Sequence, residues 1–307
     1  MADPAPLAAL YARIRKSGGV IDLSDRAKWH LAGADRVRYL NGQVSNDMRR
    51  VSAAAALQAC VTTAKGRLSG VIFVSAAESF LRIDADAALR ESLGARLERY
   101  IISDDAALED ATDEECLFHV LGSTAPEDCP GAEIRTAGRF GKGGYDVIVP
   151  TTGRDRALAA LLTHRPLIPD ALAEPLRIEA GAPRWGAELT EETLPPEAGL
   201  DRVAIDYHKG CYIGQEVISR IKSVGHVNRE LMGLTAAAPL APGMTLHPRA
   251  EMEKNAGEIT SAAWSFGLET WAALGYVKRG HADGALCARS PDGAAIEVQV
   301  RPLPLIP

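Results

Sequence analysis

The eight residues Lys209-Gly210-Cys211-Tyr212-Ile213-Gly214-Gln215-Glu216 leave the chain few ways to fold around them. Two glycines, an ammonium, a thiol, an amide and a carboxylate are too many chemistries for a core strand, and a plain solvent loop has no need of them. Asp206 and Tyr207 lead in, and Val217, Ile218 and Ile221 follow at helical spacing. Gly210 and Gly214 allow a positive φ or a close backbone approach. The block therefore predicts a turn feeding a helix, whose free N-terminal N–H groups favour anionic ligand groups. A glycine-rich turn holding one buried cysteine is the competing reading of the same residues.

At 307 residues the chain should divide into two or three units. Its 47% hydrophobic and 24% charged residues fit a globular protein. A formal net charge of −6 argues against a broad nucleic-acid-binding face. A local basic patch of Arg220, Lys222 and Arg229 is either a polyanion site or ordinary solvated surface. No run approaches the ~18–20 apolar residues that span a bilayer. The stretch from Met1 to Ala12 lacks a basic-then-apolar signal pattern, so a cytoplasmic location and no membrane partner are expected. The five cysteines, Cys60, Cys116, Cys129, Cys211 and Cys287, are scattered and form no C-x-x-C pair. They indicate neither a disulfide framework nor a closed zinc site.

Val20–Leu23 and Trp29–Leu31 read as strands around a Ser24-Asp25 turn, with a short helix over 34–40. The alternation of Ala55, Leu57, Ala59 and Val61 marks a half-buried strand. Strands are also expected at 71–74, 80–83, 116–121 and 145–149. Leu89, Leu93, Leu97 and Ile101 repeat at helical spacing, and Leu158–Leu162 lies on a helix. Without a regular β-α-β beat, the class is α+β. Residues 126–144 and 239–243 read as loops or boundaries. Beyond the second, turns at Asp283-Gly284 and Asp292-Gly293 suggest a small antiparallel barrel.

The 209–216 block resembles the K-G-C-[YF]-x-G-Q-E signature of the YgfZ family, relatives of the glycine-cleavage T-protein, an aminomethyltransferase. Weaker matches run along the chain. They are Gly33-Ala34-Asp35, the block from Tyr39 to Asp47, Leu176 to Gly181, Pro195 to Leu200, Gly257 to Ser261 and Leu274 to Val277. The resemblance implies a T-protein-like ring of three units around a central folate channel. Its first unit would be discontinuous, 1–50 and 146–232, carrying Glu179 and the signature. A ferredoxin-like unit at 51–145 would interrupt it, and a barrel at 233–307 would follow. The cofactor implied is tetrahydrofolate or a derivative, and the partners are iron–sulfur assembly proteins or client enzymes. A monomer that binds no nucleic acid is expected.

Leu172, Leu176 and Ala180 mark a helical face with Gly181 as its stop signal, while Pro175 leaves the helix start open. Glu179, near that helix's C-terminal end, opposes the helix dipole and needs another reason to be there. The resemblance offers one, a carboxylate accepting from the N–H edge of a pterin. Cys211 is read as a reactive thiol or cluster ligand at the channel mouth, with Lys209 or a helix N-terminus lowering its pKa; the alternative is an inert buried thiol. Tyr212 either lines the ligand or packs, Arg220 is assigned to ligand binding, and Asn41, Gln43 and Asp47 stand near the channel or serve as caps and turns. Gln215 and Glu216 are expected to orient the loop through backbone hydrogen bonds.

In Lys65-Gly66-Arg67-Leu68-Ser69-Gly70-Val71-Ile72, Ser69 and Gly70 stand where the T-protein pattern has paired acids. A carboxylate for proton or iminium chemistry is missing there, so aminomethyltransferase activity is not expected. The reading is a tetrahydrofolate-binding protein that supports assembly or repair of iron–sulfur proteins. A folate-dependent one-carbon transferase and a folate-gated interaction module are the alternatives.

Overall fold

The computed structural model describes residues 4–127, 129–141, 143–282, 285–290 and 293–306. Its strands are β1 (Gly19–Asp22), β2 (Ala27–Ala32), β3 (Leu57–Thr62), β4 (Leu68–Ala76), β5 (Phe80–Ala85), β6 (Ala107–Asp110), β7 (Glu115–Leu121), β8 (Glu133–Thr136), β9 (Tyr145–Pro150), β10 (Arg229–Ala236), β11 (Thr245–Pro248), β12 (Gly257–Ser265), β13 (Thr270–Lys278), β14 (Leu286–Arg289) and β15 (Ala295–Arg301). The α-helices are α1 (Pro4–Ser17), α2 (Arg36–Gln43), α3 (Arg90–Glu98), α4 (Arg154–Leu162), α5 (Asp170–Ala180) and α6 (Gln215–Val224).

Three sheets result. A five-stranded antiparallel sheet runs β3-β4-β5-β2-β6, a four-stranded one runs β1-β7-β9-β8, and β10-β13-β12-β11-β14-β15 close into a barrel. The α+β class and the C-terminal barrel are as the sequence predicts. Of the two barrel turns, Asp283-Gly284 and Asp292 lie outside the described residues, and Gly293 has the positive φ of +89° that a turn requires.

The first two strands do not form a hairpin around Ser24-Asp25. β1 pairs with β7 and β2 with β5 and β6, so the chain passes from one sheet to the other there. The insertion that interrupts the four-stranded sheet accordingly spans β2 to β6, not 51–145, and barrel strand β10 begins at Arg229, before 233. Local alternation marks a strand but carries no information about its pairing partner. Strand β8 also sits inside the 126–144 stretch read as a loop.

Side-chain alternation gives the five-stranded sheet two different faces. Ile72 and Val74 of β4 and Leu81 and Ile83 of β5 pack with Leu89, Leu93 and Leu97 into an apolar core. The opposite face of β5 carries Arg82 and Asp84, both buried. Across from them, Glu115 and Glu133 take Arg82, while Arg139 forks onto both Asp84 and Asp146. The two sheets thus meet through a buried seam of alternating charge. Desolvating those groups is costly, and paired forks of this kind are what make it tolerable.

Candidate functional site

A cavity of about 750 Å³ lies where the three sheets meet. Leu57 and Gln58 of β3 and Val71 and Phe73 of β4 form one wall. The 138–141 loop, the end of α5 with Trp185, and the 198–203 turns continue it. Strand β10 supplies Leu231 and Met232, and the C-terminal Pro302-Leu303-Pro304 closes one side. The wall is largely apolar, and Arg139 covers the Phe73 ring, its Cζ 4.2 Å from the centroid. The Gln58 side-chain amide points no donor or acceptor at any described residue, so it is free for a ligand. Volume, aromatic walls and a few convergent polar groups are the marks of a small-molecule site.

Glu179 is not part of it. Its carboxylate is 1% exposed and accepts from Tyr11 Oη at 2.6 Å and Ser265 Oγ at 2.6 Å, with the Gly267 N–H at 3.5 Å. Its backbone carbonyl accepts from Leu305 and Ile306. Burial, and donation of its proton toward Glu179, push the Tyr11 phenol well above its ordinary range. The reason for an acid so near the end of α5 is therefore a latch, which ties α1, the barrel and the C-terminal segment together. Gly181 does end the helix, at φ +68°, and the helix starts at Asp170, ahead of Pro175. A second latch joins α5 to the barrel, because Arg177 pairs with Glu188 at 2.8 Å and both reach Ser261.

The signature loop lies away from the cavity, and none of its residues lines the wall. Lys209 is buried and donates three hydrogen bonds, to the carbonyls of Asn41 (2.6 Å), Val44 (2.6 Å) and Asn46 (2.8 Å). Burial pushes its ammonium down to about 8. It closes off the C-terminal end of α2 as a structural tie, its ammonium engaged by three backbone carbonyls. Asn41 caps Met48 N–H through its Oδ1, and Gln43 accepts from Arg96, so both serve the frame and not the ligand. Asp47 caps a 3₁₀ turn and pairs with Arg49, whose hydrogen bond and charge hold its carboxyl at about 2.

Cys211 is exposed, whereas Cys60, Cys116, Cys129 and Cys287 are buried. Tyr212 is packed with Ile205 and Ile218, and Arg220 is exposed on α6. Neither meets the cavity. The side chains of Gln215 and Glu216 make no hydrogen bond with any described residue, so the loop is oriented otherwise. Gly214 does that work, with φ +87° and so close an approach that an added Cβ would lie 2.4 Å from the Thr63 carbonyl oxygen. Thr62 Oγ1 donates to the Ile213 carbonyl beside it. Gly210 has neither a positive φ nor a neighbour within 4 Å of an added Cβ.

Ser69 is the extra residue of a bulge in β4, since Val61 pairs with Gly70 and Thr62 with Leu68. At Gly70 an added Cβ would come within 3.0–3.1 Å of Leu93 and Leu89. That position faces the apolar core, where a carboxylate would have neither room nor a partner.

The residues that do build the wall, Gln58, Phe73, Arg139 and Trp185, were not singled out by the sequence. Alternation on β4 separates Phe73 from its core neighbours Ile72 and Val74. Which face becomes a cavity depends on what packs opposite.

No family model matches the sequence. It is 29% identical to the tRNA-modifying protein YgfZ of Yersinia pestis over 73% of this chain and 72% of that one. It is 27% identical to the mitochondrial aminomethyltransferase of Gallus gallus, over 95% of this chain and 80% of that one. A chloroplastic protein of Arabidopsis thaliana named as a transferase is 24% identical over 85% of this chain, which spans 65% of that protein's length. The crystal structure of the glycine cleavage system aminomethyltransferase T from Bartonella henselae superposes over 98% of this chain and 90% of that one, with a TM-score of 0.83 at 20% identity. The chain is similar in sequence to YgfZ and to the aminomethyltransferases, and it shares the fold of aminomethyltransferase T. The shared fold is that of the aminomethyltransferase, and the 209–216 block is the stretch that resembles the YgfZ signature. Among the described residues no helix is long and apolar enough to cross a membrane.

Proposed function

We propose that this protein binds tetrahydrofolate or a derivative in the central cavity and supports assembly or repair of iron–sulfur proteins through Cys211. The observation that carries the binding reading is the cavity itself. It is about 750 Å³, walled by Phe73 and Trp185, with the unpartnered Gln58 amide on the same wall. A reduced pterin is a flat heterocycle with a donor–acceptor edge, and a primary amide can both donate to and accept from such an edge. When bound, the folate would supply one-carbon or redox chemistry. This chain's residues hold and enclose it.

The thiol is mounted separately, on a loop fixed by Lys209 and Gly214. An exposed cysteine on a rigid loop suits contact with another macromolecule, and the expected partners are iron–sulfur assembly proteins or their client enzymes. A one-carbon transferase remains the second reading, because relatives bear the aminomethyltransferase name. Gly70, pressed against Leu89 and Leu93, weighs against it. A folate-gated interaction module, with the loop only as a docking surface, is the third.

Isothermal titration with tetrahydrofolate tests the site, and Trp185→Ala together with Phe73→Ala should weaken binding about tenfold or more. Unchanged affinity in both variants would remove the cavity from the proposal. For the thiol, Cys211→Ser should abolish rescue of iron–sulfur enzyme activity in cells lacking the protein. Full rescue would leave the docking reading in place. Turnover in a reconstituted glycine-cleavage assay would instead promote the transferase.

A further inference from the structure

We propose that Arg26 is the anion-reading residue of the central cavity, taking a ligand carboxylate on the free edge of its guanidinium. The inference rests on the cavity being the ligand site, and it adds the chemical class of the group read there.

Arg26 lies where the chain passes from β1 to β2 and lines the cavity. Its side chain is 18% exposed. Nε donates to Asp84 Oδ1 at 2.5 Å, and Nη1 and Nη2 have no partner among the described residues. Its backbone is pinned as well, the N–H to the Leu23 carbonyl and the carbonyl to Lys28 Nζ. Asp84 in turn is gripped by both arms of Arg139, at 2.9 and 2.7 Å. Arg139 also holds Asp146, which pairs with the buried His119 at 2.8 Å. A buried series of alternating charges thus fixes one side of the Arg26 guanidinium and leaves its outer edge open.

The other arginines of the wall differ. Arg177 directs all three of its nitrogens to protein acceptors, and so does Arg139. Arg202 pairs with Glu230 at 3.4 Å, and Arg184 is 55% exposed, 3.8 Å from Glu174. Arg26 alone among them is at once oriented, largely shielded and unsaturated. Of the acids on the wall, Asp86 caps the Ala88 N–H and Glu230 is paired. Asp25 is exposed to solvent, so water and salt screen its opposition to a bound anion.

A fixed planar fork matches two coplanar oxygens, which a carboxylate offers and a neutral pterin ring does not. In a reduced folate that group is the glutamyl end. The pterin is left for the apolar, Gln58-bearing part of the wall.

The test compares tetrahydrofolate with its bis-amide, which is neutral at the glutamyl end, by anaerobic isothermal titration. Wild type should prefer the acid by about ten- to a hundredfold, and Arg26→Gln should bind both at the bis-amide level. Arg26→Lys keeps a positive charge beside Asp84, so it guards against loss of fold, and should restore only part of the preference. Equal affinity of wild type for acid and bis-amide would overturn the assignment while leaving folate binding intact. So would an Arg26→Gln variant that weakens both ligands by the same factor. Should neither pteridine bind wild type, the folate reading falls, and p-aminobenzoylglutamate decides for Arg26. Binding to wild type that Arg26→Gln abolishes sustains it, and no binding overturns it.

Discussion

The signature loop and the cavity wall were built by opposite means. The loop packs its chemistry into eight consecutive residues, yet three of them are framework: Lys209 closes α2, Tyr212 fills a small core and Gly214 makes room for the Thr63 carbonyl. Cys211 is presented to solvent, as is the carboxylate of Glu216. The wall has no motif at all. Its residues come from β3, β4, the β8–β9 loop, α5, β10 and the C-terminal segment, and meet only because three sheets converge. A dense motif is thus a guide to a rigid mount, and a dispersed set of side chains forms the binding surface.

That contrast is sharpest at Glu179, which the sequence assigns to the ligand and the structure to a latch. Glu179→Ala leaves the hydroxyls of Tyr11 and Ser265 without their acceptor, and at about 1–3 kcal/mol for each orphaned group it should destabilise the protein by about 4 kcal/mol. Folate affinity of the protein that remains folded should be unchanged. Urea unfolding and titration on the same variant measure both. A stable variant with weakened affinity would return Glu179 to the site.

The two regions should also respond to opposite ends of the pH scale. In the seam behind the wall, burial alone would raise the Glu115 carboxyl, but hydrogen bonds from His30 and Arg82 push it down from 4.5 to about 2. The unfolded chain then binds more protons than the native one between those values. The stabilisation is present above pH ~4.5 and lost as pH falls toward 2, on the order of 3 kcal/mol. Urea midpoints at pH 6 and pH 3 should fall further for wild type than for Glu115→Gln. In the loop, Lys209 is pushed from 10.5 down to about 8, so the native state sheds that proton first. Its contribution to stability rises from pH 8 to 10.5. Lys209→Met should lack that rise, and a matching rise in the variant would assign it elsewhere.

Within the loop the two glycines separate mount from surface. Gly214→Ala forces a side chain into φ +87° and against the Thr63 carbonyl, and should cost about 2 kcal/mol or more. Gly210→Ala meets open space and should stay within about 0.5 kcal/mol. Equal losses in thermal unfolding would mean that the motif acts as one undivided unit.

The smallest stability effect belongs to the residue proposed to matter most for function. Cys211→Ser should shift stability by no more than about 0.5 kcal/mol, because the thiol is exposed. Iodoacetamide should modify one thiol in the folded protein and the other four only on unfolding. A slow Cys211 in the native state would show that the loop covers it.

Local pattern carried most of the secondary structure. The alternation at Leu57, Ala59 and Val61 and the spacing of Leu89, Leu93 and Leu97 appear as strand β3 and helix α3, with ends shifted by a few residues. Gly181 stopped α5 and Gly214 opened α6, because a positive φ is a property of one residue and its neighbours. Motif order along the chain was enough to give the T-protein-like architecture and the barrel.

Partner choice was decided in three dimensions. Tyr11 reaches Glu179 across 168 residues of sequence, and Lys209 reaches Asn41 across the same span. A carboxylate reads identically in a sequence whether it meets a pterin, a phenol or a guanidinium. Which of these each acid meets was set by the packing of elements distant in sequence, α1 and β12 for Glu179 and the β8–β9 loop for Asp84. The same convergence left the outer edge of Arg26 without a protein partner, for hydrogen-bond saturation depends on which groups packing brings together.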